Sequence, residues 1–147
     1  MSTILPQAAK EKYGIESHFE QMENGEKRFR LVADNRSAYV MTCSSDKGAW
    51  QNSHFHHTLR EIYIVQTGWI AVAIREQHRM TMRTYGEGEV ITIEPGVIHN
   101  VYLSANVLIH TIKYGQGSMK DWVADAKLDS LSKGLDELDI HSLTFIP

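Results

Sequence analysis

Three histidines and one glutamate in the sequence have the residue types and spacing of metal ligands. His54 and His56 are two positions apart, so on a strand both imidazoles would project to the same face. Glu61 opens the next strand-like run, and His99 follows the Pro95-Gly96 turn. Imidazole nitrogens together with a carboxylate oxygen suit a first-row divalent ion. Such an ion would also compensate a carboxylate placed on an inward face, which is otherwise costly to bury.

The His-x-His pair alone leaves two interpretations open. Pairs of this kind also occur on solvated strands, where they bind nothing, so His54 and His56 need further support as ligands. Three of the eight histidines fall within residues 54–57. Strand alternation turns His57 away from His56. We therefore expect His57 to be a surface histidine or one that lies behind the ligands.

Short strand-like runs surround these positions and are separated by turn residues. The runs lie at residues 28–32, 38–43, 61–65, 69–74, 79–84, 90–93, 101–103 and 106–113. No helical pattern lies between them, which indicates an antiparallel sandwich or barrel. We predict an N-terminal arm and first strand in residues 1–35, the barrel in 36–115, and a helix with a tail in 116–147, all within one domain.

The C-terminal part of the chain has the periodicity of an amphipathic helix. Ser118 is a suitable N-cap, Asp121 follows three residues later, and Lys133-Gly134 is a plausible end. The apolar residues at helical spacing are Met119, Trp122, Val123 and Ala126. The pattern predicts one helix packed on the outside of the barrel.

Composition excludes several classes of protein. The formal charge is −3 and no segment carries a basic stripe, so we expect no nucleic-acid partner. No run approaches the roughly 18–20 apolar residues of a membrane span, and the N-terminus does not resemble a secretory signal. The single cysteine, Cys43, cannot form an internal disulfide and agrees with a reducing compartment. We expect a cytoplasmic protein.

The spacing around the first histidines is more specific than the pair itself. Gly48 is followed after five residues by His54 and His56, then after four residues by Glu61, and after six more by Gly68. This segment resembles the first of the two sequence motifs of the cupin superfamily.

The segment 88–99 resembles the second cupin motif, because it ends in Pro95-Gly96-Val97-Ile98-His99. Glu94 stands where that motif usually has a proline, and Leu103 stands where it usually has an asparagine. The two motifs together span residues 48–99, about a third of the chain.

This resemblance implies a fold, a ligand set and an assembly. The fold is an all-β double-stranded β-helix, or jelly roll, which here would carry a C-terminal α-helix. The implied ligands of one divalent ion (Fe, Mn, Zn or Ni) are His54, His56, Glu61 and His99. The resemblance also favours a homodimer, and the N-terminal segment is the natural candidate to cover an open sheet edge of the partner.

Tyr63 is a candidate catalytic residue, because it is in phase with Glu61 along the strand. Its phenol could face the same cavity and donate a proton to a substrate or to bound water. The alternative is a tyrosine that only fills the barrel core. The strand pattern alone leaves these two roles open.

His110 is a second candidate catalytic residue. Thr111 and Lys113 suggest the outward face of their run, so we expect His110 to point inward with its neighbours at 108 and 112. An inward histidine could be a general base or a partner of the metal ligands. It could equally be a hydrogen-bonded core residue.

Three functions fit such a site. The first is a metal-dependent enzyme that moves a proton on a small polar molecule such as a sugar or sugar acid, in the manner of an isomerase. The second is an iron-dependent dioxygenase, which would use the same ligands. The third is a non-catalytic sensor of small molecules, which ranks last because such modules are usually fused to a DNA-binding domain and no helix-turn-helix candidate is present.

Overall fold

The chain folds into two antiparallel sheets that pack face to face, as the sequence predicts for a jelly roll. The computed structural model describes residues 3–116 and 121–144. The elements in chain order are α1 (Pro6–Tyr13), β1 (Glu16–Gln21), β2 (Lys27–Val32), β3 (Ala38–Cys43), β4 (Ala49–Trp50), β5 (His54–Phe55), β6 (Arg60–Thr67), β7 (Ile70–Glu76), β8 (Arg79–Tyr85), β9 (Val90–Ile93), β10 (Ile98–Leu103), β11 (Leu108–Tyr114), β12 (Val123–Ala124), α2 (Ala126–Ser132) and α3 (Glu137–Leu143).

The strand order differs from the chain order in both sheets. The first sheet runs β1-β2-β3-β11-β6-β9, and the second runs β12-β5-β10-β7-β8 with β4 also paired to β10. The pair β11 and β6 therefore has β3 on one side and β9 on the other. Strands that carry the predicted ligands end up in both sheets, on the two sides of one interior.

Residue alternation decides which side chains enter that interior. Along β6, Glu61, Tyr63 and Val65 are buried, whereas the residues between them face outward. Branched and aromatic side chains from both sheets fill most of the interior. This cluster consists of Tyr63, Val65, Ile70, Val72, Ile93, Val101, Leu103, Val107 and Ile109.

The two C-terminal helices cover the outer face of the second sheet. Leu128 of α2 and Ile140 of α3 are fully buried against Ala71, Ala73 and Tyr102 of the sheet. Because β10 packs on the core with one face and on the helices with the other, five of its six residues are buried. None of the helices in residues 3–116 and 121–144 is long and apolar enough to cross a membrane.

The predicted C-terminal helix is confirmed as α2, which ends at its C-cap Lys133 as expected, but its predicted start and the predicted tail are wrong. Ser118 and Met119 lie outside the described residues, but Val123 is in β12 and pairs with Phe55. The backbone of Val123 and Ala124 is paired with β5 and is not available for a helix, so the helix begins only after Asp125. The predicted tail contains α3, which starts with a capping box between Asp136 and Asp139.

The N-terminal segment also contains structure that its polar composition does not reveal. A turn at Asn24-Gly25 joins β1 to β2, and Gly25 there has a φ of 87°. Strand β1 pairs along its whole length with β2 of the same chain. Its outer edge is one of the two edges of the first sheet.

Asp125 joins α2 to the second sheet and should make stability depend on pH. Its carboxylate accepts hydrogen bonds from the Leu128 N–H (2.7 Å) and from Nη2 of Arg75 (2.7 Å). The bond from Arg75 lowers the pKa of Asp125. Asp125→Asn, which keeps a capping oxygen but loses the charge, should reduce the free energy of unfolding by about 1 kcal/mol at neutral pH. Asp125→Ala should reduce it by about 1 kcal/mol more.

Because the folded pKa is the lower one, the ion pair stabilises fully above the unfolded pKa of about 3.9 and is lost as the pH falls through the folded value. The difference between the wild type and Asp125→Asn should therefore shrink on acidification. Urea unfolding, followed by tryptophan fluorescence from neutral pH down through the folded pKa of Asp125, measures this difference in the free energy of unfolding. A difference that stays constant with pH would contradict the prediction.

Candidate metal centre

The four predicted ligands converge from both sheets on one point of the interior. His54 of β5 and His99 of β10 are directly paired residues of neighbouring strands. Glu61 projects from β6 of the opposite sheet, and His56 lies in the short connection between β5 and β6. All four are buried.

Two glycines of the predicted motifs have specific roles near the four predicted ligands. Gly96 turns the chain before His99 with a φ of 82°, and its N–H donates to the carbonyl of His56 at 2.7 Å. Gly48 lies against Tyr102, where an added Cβ would come within 1.8 Å of the phenol oxygen. The sequence therefore needs glycine at 48 for close packing and at 96 for the turn.

The imidazole Nε2 atoms face the carboxylate of Glu61. The Nε2 of His99 is 2.7 Å from Oε2, that of His54 is 3.6 Å from the same oxygen, and that of His56 is 3.2 Å from Oε1. Potential ligand atoms of His54, Glu61 and His99 lie within 4.8 Å of one another. His56 approaches from the side of the other carboxylate oxygen.

A backbone carbonyl fixes the orientation of each imidazole. Nδ1 of His54 is 2.9 Å from the carbonyl of Asn52, and Nδ1 of His99 is 2.9 Å from that of Val97. Nδ1 of His56 is hydrogen-bonded to the carbonyl of Asp121. A carbonyl can only accept, so each Nδ1 carries the proton and donates it. In the neutral imidazole this leaves the Nε2 lone pair directed at Glu61, which is the usual arrangement behind metal-binding histidines.

The charges of this group also favour an ionised carboxylate. Burial opposes the charge on Glu61, but the three imidazoles and Lys113 outweigh it and hold the pKa of Glu61 well below its usual range. Burial lowers the pKa of His54. Burial acts in the same direction on His56, but the contact with Glu61 prevails and raises the pKa of His56.

These residues fit a divalent ion. Within the described residues, the buried Nε2 atoms of His54 and His56 have no hydrogen-bond partner. Neutral imidazoles and a carboxylate offer only lone pairs to one another, and such an arrangement needs either extra protons or a cation between them. Three nitrogens and one carboxylate are a donor set that first-row divalent metals prefer.

Tyr63 reaches the same point, as its phase with Glu61 predicts. Its hydroxyl lies 3.1 Å from Oε2 of Glu61 and 3.2 Å from Nε2 of His99. Burial and the neighbouring negative charge raise the pKa of Tyr63 well above its ordinary value. The protonated phenol can donate one hydrogen bond within this group.

The expected orientation of His110 is wrong. The residues of β11 that face the interior are Ile109, Thr111 and Lys113, whereas His110 lies on the outer face. There its Nδ1 is 2.6 Å from the Tyr39 hydroxyl. Thr111 and Lys113 face inward although they are polar, because the interior at this end of the barrel is itself polar.

Lys113, which the sequence pattern predicts on the outward face, belongs to the site. It is paired with Glu61 across β11 and β6, and its Nζ is 3.3 Å from Oε1 of that carboxylate. The alternation of residues along β11 does not by itself show that this lysine faces a charged cavity. Only the register of β11 against β6 identifies it.

Asp121 is a second residue whose importance the sequence did not reveal. Its carboxylate accepts hydrogen bonds from the backbone N–H groups of His57, Thr58 and Leu59 and from the Thr58 hydroxyl. It thus anchors the connection between His56 and Glu61, which are both predicted ligands. The side chain of His57 is exposed, in agreement with the expectation that it is not a ligand.

A cavity of about 390 Å³ leads to the donor group. Trp122 lies at this cavity and stacks on His54, with ring centroids 5.3 Å apart. Leu59 and Val40 contribute apolar surface, while several basic side chains line the remainder. A small polar molecule could reach the donors through this cavity.

Comparisons with known proteins identify the fold. No protein-family model matches the sequence, and no curated protein matches it. Among solved structures, oxalate decarboxylase from Bacillus subtilis superposes with a TM-score of 0.60 at 15% identity, over 86% of this chain and 37% of that chain. KdgF from Halomonas sp. gives a TM-score of 0.56 at 16% identity, over 69% of this chain and 88% of that chain.

Oxalate decarboxylase from Lactobacillus farciminis, in a formate complex, superposes with a TM-score of 0.58 at 14% identity, over 89% of this chain and 43% of that chain. The chain thus spans less than half the length of both oxalate decarboxylases. Together with the two-sheet topology, these matches show that the chain has the cupin fold in a single copy.

Asp121 should be essential for the rigidity of the ligand-bearing connection. Asp121→Ala removes the acceptor of three backbone N–H groups, so we expect a loss of about 2–4 kcal/mol in the free energy of unfolding. Asp46→Ala, which truncates an exposed aspartate, is the matched control and should change it by less than about 0.5 kcal/mol. Chemical denaturation measures both variants. Equal losses for the two would show that Asp121 is not an anchor.

Proposed function

We propose that this protein is a metal-dependent enzyme that moves a proton on a small polar molecule such as a sugar or sugar acid. One observation carries the proposal: three imidazoles, each oriented by a carbonyl on Nδ1, direct their Nε2 atoms at one buried carboxylate beside an accessible cavity. His54, His56, Glu61 and His99 would hold the ion. When bound, a divalent ion supplies a Lewis acid that polarises a carbonyl or hydroxyl of the substrate.

Tyr63 is the best placed residue for proton transfer in this scheme. Its hydroxyl is held between Glu61 and His99, at hydrogen-bond distance from both. A protonated phenol at this point can donate to an oxygen on which negative charge develops. The Lys113 ammonium, 3.3 Å from Glu61, adds positive charge to the same end of the cavity. Trp122 and Leu59 contribute apolar surface to the same cavity.

The metal we propose is a first-row divalent ion, namely Fe, Mn, Zn or Ni. One of the solved structures with this fold is described by its Mn(II) centres, in the oxalate decarboxylase from Bacillus subtilis. Mixed imidazole and carboxylate sites bind several such ions, and selectivity follows availability as well as affinity. We therefore propose manganese or iron first, with zinc and nickel as competitors for the same donors.

Metal content tests the proposal directly. The wild type should bind one divalent ion per chain, whereas His99→Ala should lose at least about tenfold in affinity because it removes a donor of the buried group. His57→Ala is the matched control, since that histidine is exposed, and it should bind like the wild type. Titration followed by elemental analysis measures stoichiometry and affinity. Equal binding by His99→Ala and His57→Ala would contradict the assignment.

Activity assays on the metal-loaded protein separate the proposal from its two alternatives. An iron-dependent dioxygenase would use the same donors but would consume O₂ with its substrate and lose activity when zinc replaces iron. A non-catalytic sensor would bind its ligand without turnover. Turnover of the substrate with a redox-inert ion and without O₂ is the result expected here.

We also propose that the protein forms a homodimer through the outer face of the first sheet. This face carries exposed apolar side chains, among them Phe19 of β1 and Phe29 of β2, which are directly paired across the two strands. Phe19 is 71% exposed, although the corresponding face of the second sheet is covered by α2 and α3. A large exposed apolar patch is typical of an interface.

Phe19→Asp should convert the dimer into a monomer, because it places a charge in that face. Leu138→Asp, at an 81% exposed residue of α3 on the other side of the molecule, is the control and should stay dimeric. Sedimentation analysis at micromolar concentrations measures the assembly. A monomeric wild type would refute the proposed dimer.

A further inference from the structure

A wall of basic side chains faces the candidate metal centre across the cavity. Arg28 and Arg30 are two residues apart on β2, so both project inward, where they line the cavity. Arg36 of the β2–β3 turn lines it as well, whereas Lys113 of β11 adds its positive charge beside Glu61. Among the lining residues only Glu61 and Asp121 are acidic.

The positive charge of this wall is only partly compensated. Arg28 forms an ion pair with the buried Glu26, which also accepts a hydrogen bond from Nε2 of Gln51 at 2.9 Å. Nε of Arg30 is 3.3 Å from Oε1 of Glu20 but is not aligned for a hydrogen bond. In the described part of the chain the buried Nε atoms of Arg28 and Arg30 have no hydrogen-bond partner.

The arginines also act on each other. Burial, and after it the charge of Arg28, lowers the pKa of Arg30. An arginine keeps its charge in spite of such a shift. Two adjacent guanidinium groups with free donors in a cavity are an arrangement that an oxyanion would stabilise.

Small residues keep open the space between this wall and the metal ligands. Across the first sheet, the register places Arg30 opposite Val40, then Thr111, then Tyr63. Ala38 continues the same inward face towards Lys113. Strands are about 4.8 Å apart, so β2 and β6, separated by β3 and β11, have backbones roughly 14 Å apart. A ligand with two functional ends can span such a cavity.

We propose that the substrate is an anionic small molecule whose carboxylate or phosphate group binds Arg28 and Arg30. Its reactive end then lies beside His54, His56 and Glu61, which line the same cavity. This inference rests on the proposed function and specifies its substrate class. Neutral sugars would leave the guanidinium donors unpartnered, and discrimination against them follows from that loss.

Paired ligands that differ only in charge test the proposal. D-Glucuronate and glucose 6-phosphate are each compared with D-glucose, and inorganic phosphate serves as the smallest probe, all at constant ionic strength. Affinities come from thermal shifts of the full chain, both loaded with Mn²⁺ and treated with a chelator. The acids should bind at least about tenfold more tightly than glucose.

Variants of Arg30 identify the wall as the cause. Arg30→Gln should weaken binding of the acids by about tenfold without changing that of glucose, and Arg30→Lys should be intermediate because it keeps the charge but not the forked donors. Arg79→Gln removes an exposed arginine outside the cavity and should bind like the wild type. Arg28 is avoided as a test position because its removal would leave the buried Glu26 unpaired.

Each outcome has a separate meaning. A preference for glucuronate over glucose 6-phosphate assigns a carboxylate, and the reverse assigns a phosphate. If no acid binds more tightly than glucose, or if Arg30→Gln binds the acids like the wild type, the inference is overturned even where Mn²⁺ is bound. If phosphate binds through Arg30 in both samples but no ion is taken up, the metal-dependent function fails while the anion site stands.

Discussion

The buried carboxylate of Glu61 is the constraint on which the rest of the site depends. It is 1% exposed, and an isolated carboxylate at such a place would be strongly destabilising. The Tyr63 hydroxyl and the Lys113 ammonium compensate it in part, and a cation between the carboxylate and the three imidazoles would complete the compensation. Because the groups come from both sheets, they meet only when the sheets close on each other. Folding and formation of the donor group are thus one event.

The surroundings of the donors show how the structure holds them in place. Nδ1 of each imidazole is hydrogen-bonded to a backbone carbonyl, which fixes the orientation of the ring. One of these carbonyls belongs to Asp121, near the C-terminal helices. The Asp121 carboxylate in turn binds the connection between His56 and Glu61. The C-terminal segment therefore does more than cover the second sheet. It orients one ligand and restrains the loop on which two of them depend.

Strand periodicity predicted much of this arrangement, and its failures have physical reasons. His54 could be placed in phase with His56, and Tyr63 in phase with Glu61, because side chains alternate along a strand. His110 was predicted to face inward because polar residues are expected on the outer face of a strand. That expectation does not hold for Thr111 and Lys113, since the interior beside them contains a charged cavity. Lys113 belongs to that cavity, and only its pairing with Glu61 reveals it.

The predicted start of the C-terminal helix is wrong for a different reason. The apolar spacing around Trp122 and Val123 is compatible with a helix, but the edge of β5 offers backbone hydrogen bonds that an isolated segment does not have. Tertiary pairing therefore overrode the local pattern there. The hydrogen bonds of Asp121 could not be predicted either, since they link residues more than 60 positions apart.

Taken together, the site has a donor group at one end of the cavity and a basic wall at the other, joined by a floor of small residues. The central claim is that the donor group holds a metal ion. Anomalous diffraction from crystals grown with Mn²⁺ tests it most directly. The account predicts one anomalous peak within bonding distance of Nε2 of His54, His56 and His99 and of the Glu61 carboxylate. A peak elsewhere, or none at this point in Mn²⁺-containing crystals, would contradict it.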